Sequence, residues 1–299
     1  LTMHFTNVSG DCKLDHLVMT KLSAFDPQRW DGFETNDRKV ATAKAARIRQ
    51  AGRDRLRAEV DCDKTIIIGS IWDGARAILS EEEREAHTAL SRPNLEKLSD
   101  GSLTLDEAAA WQTTALDYLK GRPLSALVEA MATIPLRKGA EDFFNICEQA
   151  AVPTIIRSAS ISDAISAIAS QRNIRPTLIV ATNLHIRRGH ITGWDPATLT
   201  HDLNKGSVVS RDLSSLVNGR NNIILLGDRM VDTLMVPDKE ALRIRVDGGF
   251  DPSQPDEWGA YLRESFNLNN DPRYPHAYDA VTTTDDLFAV AKLISWLTT

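Results

Sequence analysis

The chain has 299 residues, of which 42% are hydrophobic and 25% charged, and a formal net charge of -6 at pH 7. This is typical of a globular protein with enough chain to bury a core. The mildly acidic balance argues against a nucleic-acid polymer as a partner, and no apolar run approaches the ~20 residues of a membrane span. The three cysteines, Cys12, Cys62 and Cys147, are widely separated, which fits a reducing compartment and excludes a disulfide scaffold. Because the first residues also lack a signal-peptide pattern, we expect a cytoplasmic protein, and the sequence leaves its oligomeric state open.

The first part of the chain, residues 1–54, is predicted to be a basic and mainly helical extension. Between Asn36 and Arg57 there are eight Lys or Arg residues and two Asp or Glu residues, which gives 8 − 2 = +6. The spacing of Val40, Ala43 and Ile48 predicts a helix with one weakly apolar face. We favour a solvated helix that packs on the domain. The alternative is a docking arm for an acidic partner or a neighbouring subunit.

Short apolar runs then alternate with segments of helical spacing. The predicted strands are Arg55–Val60, Val152–Arg157, Thr177–Ala181, Asn222–Leu226 and Leu242–Val246. The predicted helices between them include Ala140–Ala150 and Ser162–Ser170, and a last helix runs from Asp285 or Asp286 to Leu297 with Thr284 as its N-cap. This alternation predicts an α/β protein with a doubly wound, mainly parallel sheet.

One stretch, residues 70–135, interrupts this alternation with helices alone. Ser80 followed by three glutamates is typical of a capped helix start, and Thr104 with Glu107 forms a capping box. The helix after Thr104 is predicted to reach Lys120 and to end at Gly121. We therefore predict a small helical domain over a core formed by residues 55–69 and 136–299.

Polar side chains follow the predicted strands, where parallel sheets bind their ligands. These candidates, in chain order, are Asp61, Asp63, Ser158, Lys205, Asp228 and Asp232, and Lys205 lies between the third and fourth predicted strands. Carboxylates that meet at one edge repel each other unless a cation or a proton lies between them, and hard oxygen ligands suit Mg²⁺. A hydroxyl group and a lysine nearby could hold phosphate.

Together these residues resemble the haloacid dehalogenase (HAD) superfamily of phosphohydrolases. The DxDxT pattern of Asp61–Thr65, then Ser158, Lys205 and the acidic segment Gly227–Asp232 match its motifs in type and order. Within the superfamily the chain looks most like the cytosolic pyrimidine 5'-nucleotidase group, on Ile223–Asp228, Ser158–Asp163 and Asn204-Lys205. The resemblance implies a Rossmann-like core over roughly Arg55 to Leu297, with the helical insertion as a C1-type cap.

The resemblance further implies Mg²⁺-dependent hydrolysis of a phosphomonoester in two steps. Asp61 would attack phosphorus to form an aspartyl phosphate, and Asp63 would act as general acid and then as general base. Ser158, Ala159 and Lys205 would bind the phosphate. The metal ligands would be Asp61, the carbonyl of Asp63 and Asp228, with Asp232 in support. The best candidate substrate is a nucleoside 5'-monophosphate, a small-molecule phosphate ester.

Some residues depart from the family pattern and leave alternatives open. Lys64 is a bulky cation within the first motif, Arg229 follows Asp228, and Arg57 and Glu59 lie in a strand predicted to be central. One alternative is therefore a non-catalytic HAD-fold binding or regulatory protein. Another is a HAD phosphatase for a phosphosugar or a biosynthetic intermediate.

The predicted cap offers two candidate substrate contacts, Trp111 and Glu107. Trp111 could stack on a nucleobase, although core packing is the usual role of a tryptophan. Glu107 already has a role in the capping box. We expect His185, His190 and His201 to be surface or capping histidines and not metal ligands, because they lack helical spacing.

Overall fold

The structure is a computed structural model that describes residues 24–208, 211–246 and 254–299. The first part of the predicted extension, including Cys12, lies outside the described residues. The helices are α1 (Arg38–Ala51), α2 (Ile71–Ala77), α3 (Glu81–Asp100), α4 (Leu105–Asp117), α5 (Leu124–Met131), α6 (Ala140–Gln149), α7 (Ser162–Gln171), α8 (Arg211–Val217), α9 (Pro255–Ser265) and α10 (Phe288–Thr298). The strands are β1 (Phe33–Thr35), β2 (Leu56–Val60), β3 (Thr154–Ile161), β4 (Leu178–Thr182), β5 (Leu184–Arg187), β6 (His190–Trp194), β7 (Asn222–Gly227), β8 (Leu242–Arg245) and β9 (Ala280–Thr282).

Seven of the strands form one sheet in the order β1-β9-β8-β7-β2-β3-β4. All neighbours in this sheet are parallel except β1 and β9, which pair in the antiparallel sense. The two remaining strands, β5 and β6, form a separate antiparallel hairpin. The prediction of a mainly parallel sheet is confirmed, and its centre lies at β7 and β2.

The two faces of the sheet bury different partners, as the alternation of side chains along β7 shows. Ile224 and Leu226 belong to a large apolar core that includes residues of α1, α6 and α10. Ile223 and Leu225 face the other side and pack with Met230. Successive side chains of a strand point to opposite faces, and both faces of β7 are covered. All four aliphatic residues are therefore buried. Leu213 of α8 packs on this second face against Ile155 of β3, so helices on both faces are confirmed.

The polar composition of β2 is explained by the second face of the sheet. Arg57 and Glu59 lie opposite Ile223 and Leu225 of β7, on the face away from the large core. The Glu59 side chain is fully buried, and its carboxylate pairs with Arg57 at 2.8 Å and with Arg157 of β3. A buried carboxylate is tolerated here because both of its oxygens accept charged donors.

The described part of the segment predicted as an extension joins the core, which includes Phe25 and Trp30. β1 adds an edge strand beside β9, and the Asp37 side chain caps α1 by accepting from the main-chain N–H groups of Lys39 and Val40. Lys44 forms an ion pair with Asp279 at 2.8 Å, and Arg47 donates to Asn222 Oδ1 at 2.8 Å. Part of the basic charge of this segment therefore binds the core and is not displayed for a partner.

Two predicted helix ends are wrong, and each has a local reason. The last helix begins at Phe288, with Leu287 and not Thr284 as its N-cap, because Leu287 donates its N–H to the Lys138 carbonyl at 2.8 Å. Residues 283–287 form bends and one isolated bridge to Lys138 before the helix begins. α4 ends at Asp117, before the predicted Lys120, and the chain then turns to reach Gly121 at φ 82°.

β3 is longer than predicted, and this changes the place of two candidate residues. The prediction ends the strand at Arg157, whereas β3 continues to Ile161 after a register shift in its pairing with β4. Ser158 and Ala159 consequently lie within the irregular end of β3 and not in a loop after it. This irregularity lets the strand continue where pairing is interrupted.

Helices α2 to α5 lie over the carboxyl edge of the sheet, and α2 and α5 contribute Ile71 and Leu127 to the large apolar core. Further contacts with the core lie on two sides. Leu98, Leu103 and Ala108 pack against Val231 in one small apolar cluster. On the other side, residues 121–124 pair with the β5–β6 hairpin through main-chain bonds of 2.7, 2.8 and 2.9 Å. Among the described residues, none of the helices has the length and apolar character needed to cross a membrane.

Candidate active site

Strand ends bring the predicted acidic residues together at the centre of the sheet. Asp61 directly follows β2, and its N–H donates to the Leu226 carbonyl of β7 at 2.9 Å. Asp228 directly follows β7. Because β2 and β7 are parallel neighbours, their carboxyl ends place both side chains at one edge, as predicted.

Lys205 is the charged centre of this group. Its side chain is 2% exposed, and Nζ lies 2.6 Å from Asp61 Oδ1, 2.8 Å from Asp232 Oδ1 and 3.4 Å from Asp202 Oδ1. Burial lowers the pKa of Lys205, but Asp232, Asp61 and Asp202 outweigh burial, and the net shift is upward. Lys205 is therefore a fixed cation that faces the acidic residues.

Three buried carboxylates lie close enough to share a cation. One oxygen from each of Asp61, Asp228 and Asp232 lies within 4.8 Å of the others. Burial raises the pKa of Asp61, and Asp232 and Asp228 raise it further. Burial and Asp232 likewise raise the pKa of Asp228, to about 7. The repulsion among these carboxylates would be relieved by a positive ion between them.

Orphaned oxygens support the same conclusion. Asp61 Oδ2 and Asp228 Oδ1 are buried and have no hydrogen-bond partner within residues 24–208, 211–246 and 254–299. Asp232 differs, because its Oδ2 accepts from the N–H groups of Asp228 and Arg229 at 3.1 and 2.9 Å. The donor set of hard oxygens fits a divalent cation such as Mg²⁺, with Asp61 and Asp228 offering the free oxygens.

Asp63 stands apart from this trio and binds the start of the cap. Its Oδ2 accepts from Ser70 Oγ at 2.6 Å, and its Oδ1 accepts from the Ile71 N–H at 3.2 Å. Burial raises the pKa of Asp63, although these two hydrogen bonds act in the opposite sense. A carboxyl group with a raised pKa beside a second carboxylate is suited to give and take a proton.

Ser158 and Ala159 line the same cavity as Asp61. Ser158 is buried within the irregular end of β3. The carbonyl of Ala159 accepts from Gln112 Nε2 of α4 at 2.8 Å, so this wall is tied to the cap. Both residues border the same cavity as the acidic group.

The cavity has a volume of about 280 Å³ and extends from the acidic group into the cap. Trp111 lines it, and its Nε1 lies 3.3 Å from Ser91 Oγ. The rings of Trp72 and His87 are 5.5 Å apart and also border the cavity. An apolar and aromatic wall above a polar floor is typical of a small-molecule site.

Glu107 is the predicted contact that the structure does not bring to the cavity. Its carboxylate caps α4 by accepting from the Thr104 N–H at 3.0 Å and pairs with Lys97 Nζ at 2.6 Å. The bonds to Lys97 and Thr104 lower the pKa of Glu107 to about 2. The capping role therefore accounts for Glu107, and its prediction as a substrate contact is wrong.

Sequence reasoning also missed residues that border the cavity. His201 is not a surface histidine as predicted but lies buried in the wall, while His185 and His190 are exposed on the hairpin. Asp202 joins the group through a 2.7 Å ion pair with Arg229. The one sequence signal for Asp202 was its position on the same turn as Lys205, three residues before it.

Comparison with known proteins agrees with this geometry. The family model described as Pyrimidine 5'-nucleotidase (UMPH-1) matches residues 108–297. A 7-methylguanosine phosphate-specific 5'-nucleotidase from Homo sapiens is 27% identical over 269 residues, which cover 82% of this chain and 85% of that protein. The A form of the Xenopus laevis protein of that name is 27% identical over 251 residues, covering 75% and 85%.

Solved structures resemble the fold. The crystal structure of cytosolic 5'-nucleotidase IIIB bound to cytidine aligns with a TM-score of 0.73 at 20% identity, over 89% of this chain and 94% of that one. A substrate-bound phosphoserine phosphatase aligns with a TM-score of 0.52 at 16% identity, over 79% of this chain and 96% of that one. The predicted HAD-type α/β fold is thereby confirmed.

Proposed function

This chain belongs to the pyrimidine 5'-nucleotidase (UMPH-1) family and is a phosphatase of the 5'-nucleotidase type, and from this premise we propose that it hydrolyses a nucleoside 5'-monophosphate with Mg²⁺ and an aspartyl-phosphate intermediate. The observation that carries the proposal is the contact of Lys205 Nζ with both Asp61 and Asp232. This contact puts a candidate nucleophile, a phosphate-binding cation and two metal ligands within one buried group. Family membership also favours an enzyme over a non-catalytic binding protein.

In the first step Asp61 acts as the nucleophile. Its carboxylate attacks phosphorus, the P–O bond to the alcohol breaks, and an aspartyl phosphate forms on Asp61. Lys205, Ser158 and the main chain at Ala159 hold the phosphoryl oxygens, since all three border the cavity beside Asp61. Lys205 needs no reorganisation to meet the charge that develops on these oxygens, because it is already fixed by three carboxylates.

Asp63 supplies the proton transfers on both sides of this intermediate. It first donates a proton to the leaving alcohol oxygen, and it then removes a proton from the water that hydrolyses the aspartyl phosphate. The Ser70 and Ile71 bonds hold the Asp63 carboxyl group beside the cap. Water exclusion by the closed cap keeps the first step directed toward the substrate.

The metal would be held by Asp61, the main-chain carbonyl of Asp63 and Asp228, with Asp232 in support. When bound, Mg²⁺ supplies positive charge to the phosphoryl oxygens and offsets the repulsion among the carboxylates. Asp232 orients this group by accepting from the N–H groups of Asp228 and Arg229.

Residues 70–135 are proposed to act as the cap that selects the alcohol part of the substrate, over a core of residues 55–69 and 136–299. Trp111, with Trp72 and His87, provides an aromatic wall for a nucleobase. The relatives that act on 7-methylguanosine phosphate support a nucleotide over a phosphosugar, because a sugar has no flat ring to place there. A cytoplasmic location is part of the same proposal.

Phosphate release from a panel of nucleoside monophosphates and sugar phosphates tests the proposal. Turnover is expected with Mg²⁺, and loss is expected with EDTA or in Asp61→Asn. Trp111→Ala should raise KM for nucleotides and leave a small phosphate ester unaffected. A folded protein that releases no phosphate from any nucleotide would contradict the proposal. A preference for sugar phosphates would replace the nucleotide with the phosphosugar alternative.

A further inference from the structure

A second cavity, of about 530 Å³, lies beside the active-site cavity between α3 of the cap and the core. The two cavities share three wall residues, Lys64, Leu95 and Arg229, so they meet at these side chains. The reaction proposed above leaves the second cavity without a role. It also leaves unexplained why a lysine stands within the first motif.

The second cavity is lined mainly by positive charge. Its cationic side chains are Lys64, Arg229, Arg263 and Arg273. The two acidic residues in its wall already have partners. Asp271 accepts from Arg273 at 2.9 and 2.5 Å, and Glu264 lies 3.4 Å from Arg245. These pairs leave the wall with an excess of positive charge.

Lys64 and Arg263 carry this excess. Across the described parts of the chain neither side chain takes part in an ion pair, and both residues are exposed. Lys64 has φ 57°, and its N–H donates to the Gly69 carbonyl at 2.9 Å. The left-handed conformation is costly for a residue with a side chain. The loop nevertheless holds a lysine there, at the junction of the two cavities.

We infer that the second cavity binds a second phosphate group carried by the alcohol part of the substrate, so that the enzyme prefers a nucleoside bisphosphate to the matching monophosphate. The inference rests on the proposed function, because that function fixes the first phosphate at Asp61 and Lys205. The sugar then lies at the junction, and a phosphate on it faces Lys64 and Arg263. Two cations without partners match the charge of one phosphate dianion.

Because the two cavities share wall residues, one substrate molecule can occupy both, and this is how the second site distinguishes a bisphosphate from a monophosphate. A monophosphate fills the first cavity and leaves Lys64 solvated, whereas a bisphosphate gains contacts in the second cavity without losing any in the first. Because the extra contacts are electrostatic and partly exposed, the preference should weaken as salt is added.

The test compares a nucleoside 3',5'-bisphosphate with the 5'-monophosphate of the same nucleoside. We expect kcat/KM for the bisphosphate to be about tenfold higher at low salt, with the 5'-phosphate as the released group. Lys64→Met and Arg263→Met should each bring the ratio close to one. Arg263 borders only the second cavity, so Arg263→Met should also leave monophosphate turnover within about twofold. Lys239→Met removes an exposed lysine outside both cavities and serves as the matched control.

Binding of both ligands to Asp61→Asn separates this inference from the proposed function. Tighter binding of the bisphosphate, lost in the double variant with Lys64→Met, supports the second site even if wild-type turnover fails. Monophosphate turnover with equal use of the two substrates overturns the inference and leaves the function intact. Unchanged ratios in Lys64→Met and Arg263→Met overturn it as well.

Discussion

Arg157 Nη1 donates a hydrogen bond to the main-chain carbonyl of Lys205 at 2.9 Å. The same guanidinium also donates to the Val208 carbonyl at 3.3 Å and pairs with the buried carboxylate of Glu59. A strand residue thus holds the loop that carries Lys205, the proposed phosphate-binding lysine. Arg245 of β8 does the same for the next loop, because its Nε donates to the Asp228 carbonyl at 2.8 Å.

Replacing Arg157 should therefore impair the reaction through the position of Lys205. Arg157→Met leaves buried carbonyl groups and one Glu59 oxygen without a donor, which should lower the free energy of unfolding by about 3 kcal/mol. We expect kcat/KM to fall at least about tenfold in protein that is still folded, with partial recovery in Arg157→Lys. Steady-state kinetics below the melting temperature would measure both effects.

Arg243→Met is the matched control for this prediction. Arg243 is also a buried arginine, and it donates to the main-chain carbonyls of Val236 and Asp238 and not to those of Lys205 or Val208. The Arg243→Met variant should lose a similar amount of stability but keep the wild-type kcat. Equal loss of kcat in both variants would mean that Arg157 acts on stability alone.

Gly227 is predicted to tolerate no side chain. A Cβ at this position would lie 2.5 Å from Asp232 Cβ and 2.7 Å from Tyr278 Oη. Gly227→Ala should displace Asp232 and lower the free energy of unfolding by about 1–3 kcal/mol, with a larger loss of turnover than of stability. Urea unfolding would measure the loss of stability, and steady-state kinetics would measure the loss of turnover. Gly193→Ala, where no atom lies within 4 Å, should change neither.

Metal binding should stabilise the folded chain measurably. Asp61 Oδ2 and Asp228 Oδ1 are available as ligands, so Mg²⁺ at about 100 times its Kd should add about 2.7 kcal/mol. Thermal unfolding with and without Mg²⁺ would detect this. Asp228→Asn should abolish the shift, whereas the exposed Asp54→Asn should retain it. A shift that persists in Asp228→Asn would place the ion elsewhere.

Burial of His87 in the cap should make the folded protein less stable in mild acid. Both of its ring nitrogens are buried and lack hydrogen-bond partners in the described chain, and burial, followed by Arg76, lowers its pKa. Below the unfolded-state pKa of about 6.5, the unfolded chain binds a proton that the folded chain resists. The contribution of His87 to stability should therefore fall as pH drops through this value, by at most about 1.4 kcal/mol per pH unit. Asp228, with its raised pKa, acts in the opposite direction, so the His87 contribution is read from the difference between wild type and a His87 variant.

Urea unfolding at pH 7.5 and 5.5 would measure this loss, with His87→Gln as the comparison. The variant should lose less stability over the interval than the wild type. The same loss in both proteins would assign the pH dependence to other groups.

The residues of the acidic group could be predicted because each follows a recognisable strand. Asp61 and Asp228 lie next to apolar runs, and parallel strands bring their carboxyl ends together. Asp202 and His201 could not be found this way, since they lie in a turn without periodicity. Glu107 was misassigned because the sequence does not show that Lys97 of the preceding helix lies beside it. Such contacts depend on tertiary packing and have no local signal.

The same limit applies to the polar strand β2. Arg57 and Glu59 argued against a central position, because a single strand does not show which charges its neighbours supply. Arg157 of β3 completes the pairing across the sheet. The two charges help to hold the sheet beneath the first motif.

The pairing of residues 121–124 with the β5–β6 hairpin restricts how substrate enters. A cap that is bound to the core by main-chain hydrogen bonds on one side opens by rotating about that side. The opposite side is closed by a few apolar contacts between Leu98, Leu103 and Val231, which separate at less cost than the hairpin bonds. We therefore expect the dephosphorylated product to leave between α3 and the core, and the rate of this opening to set an upper limit on turnover.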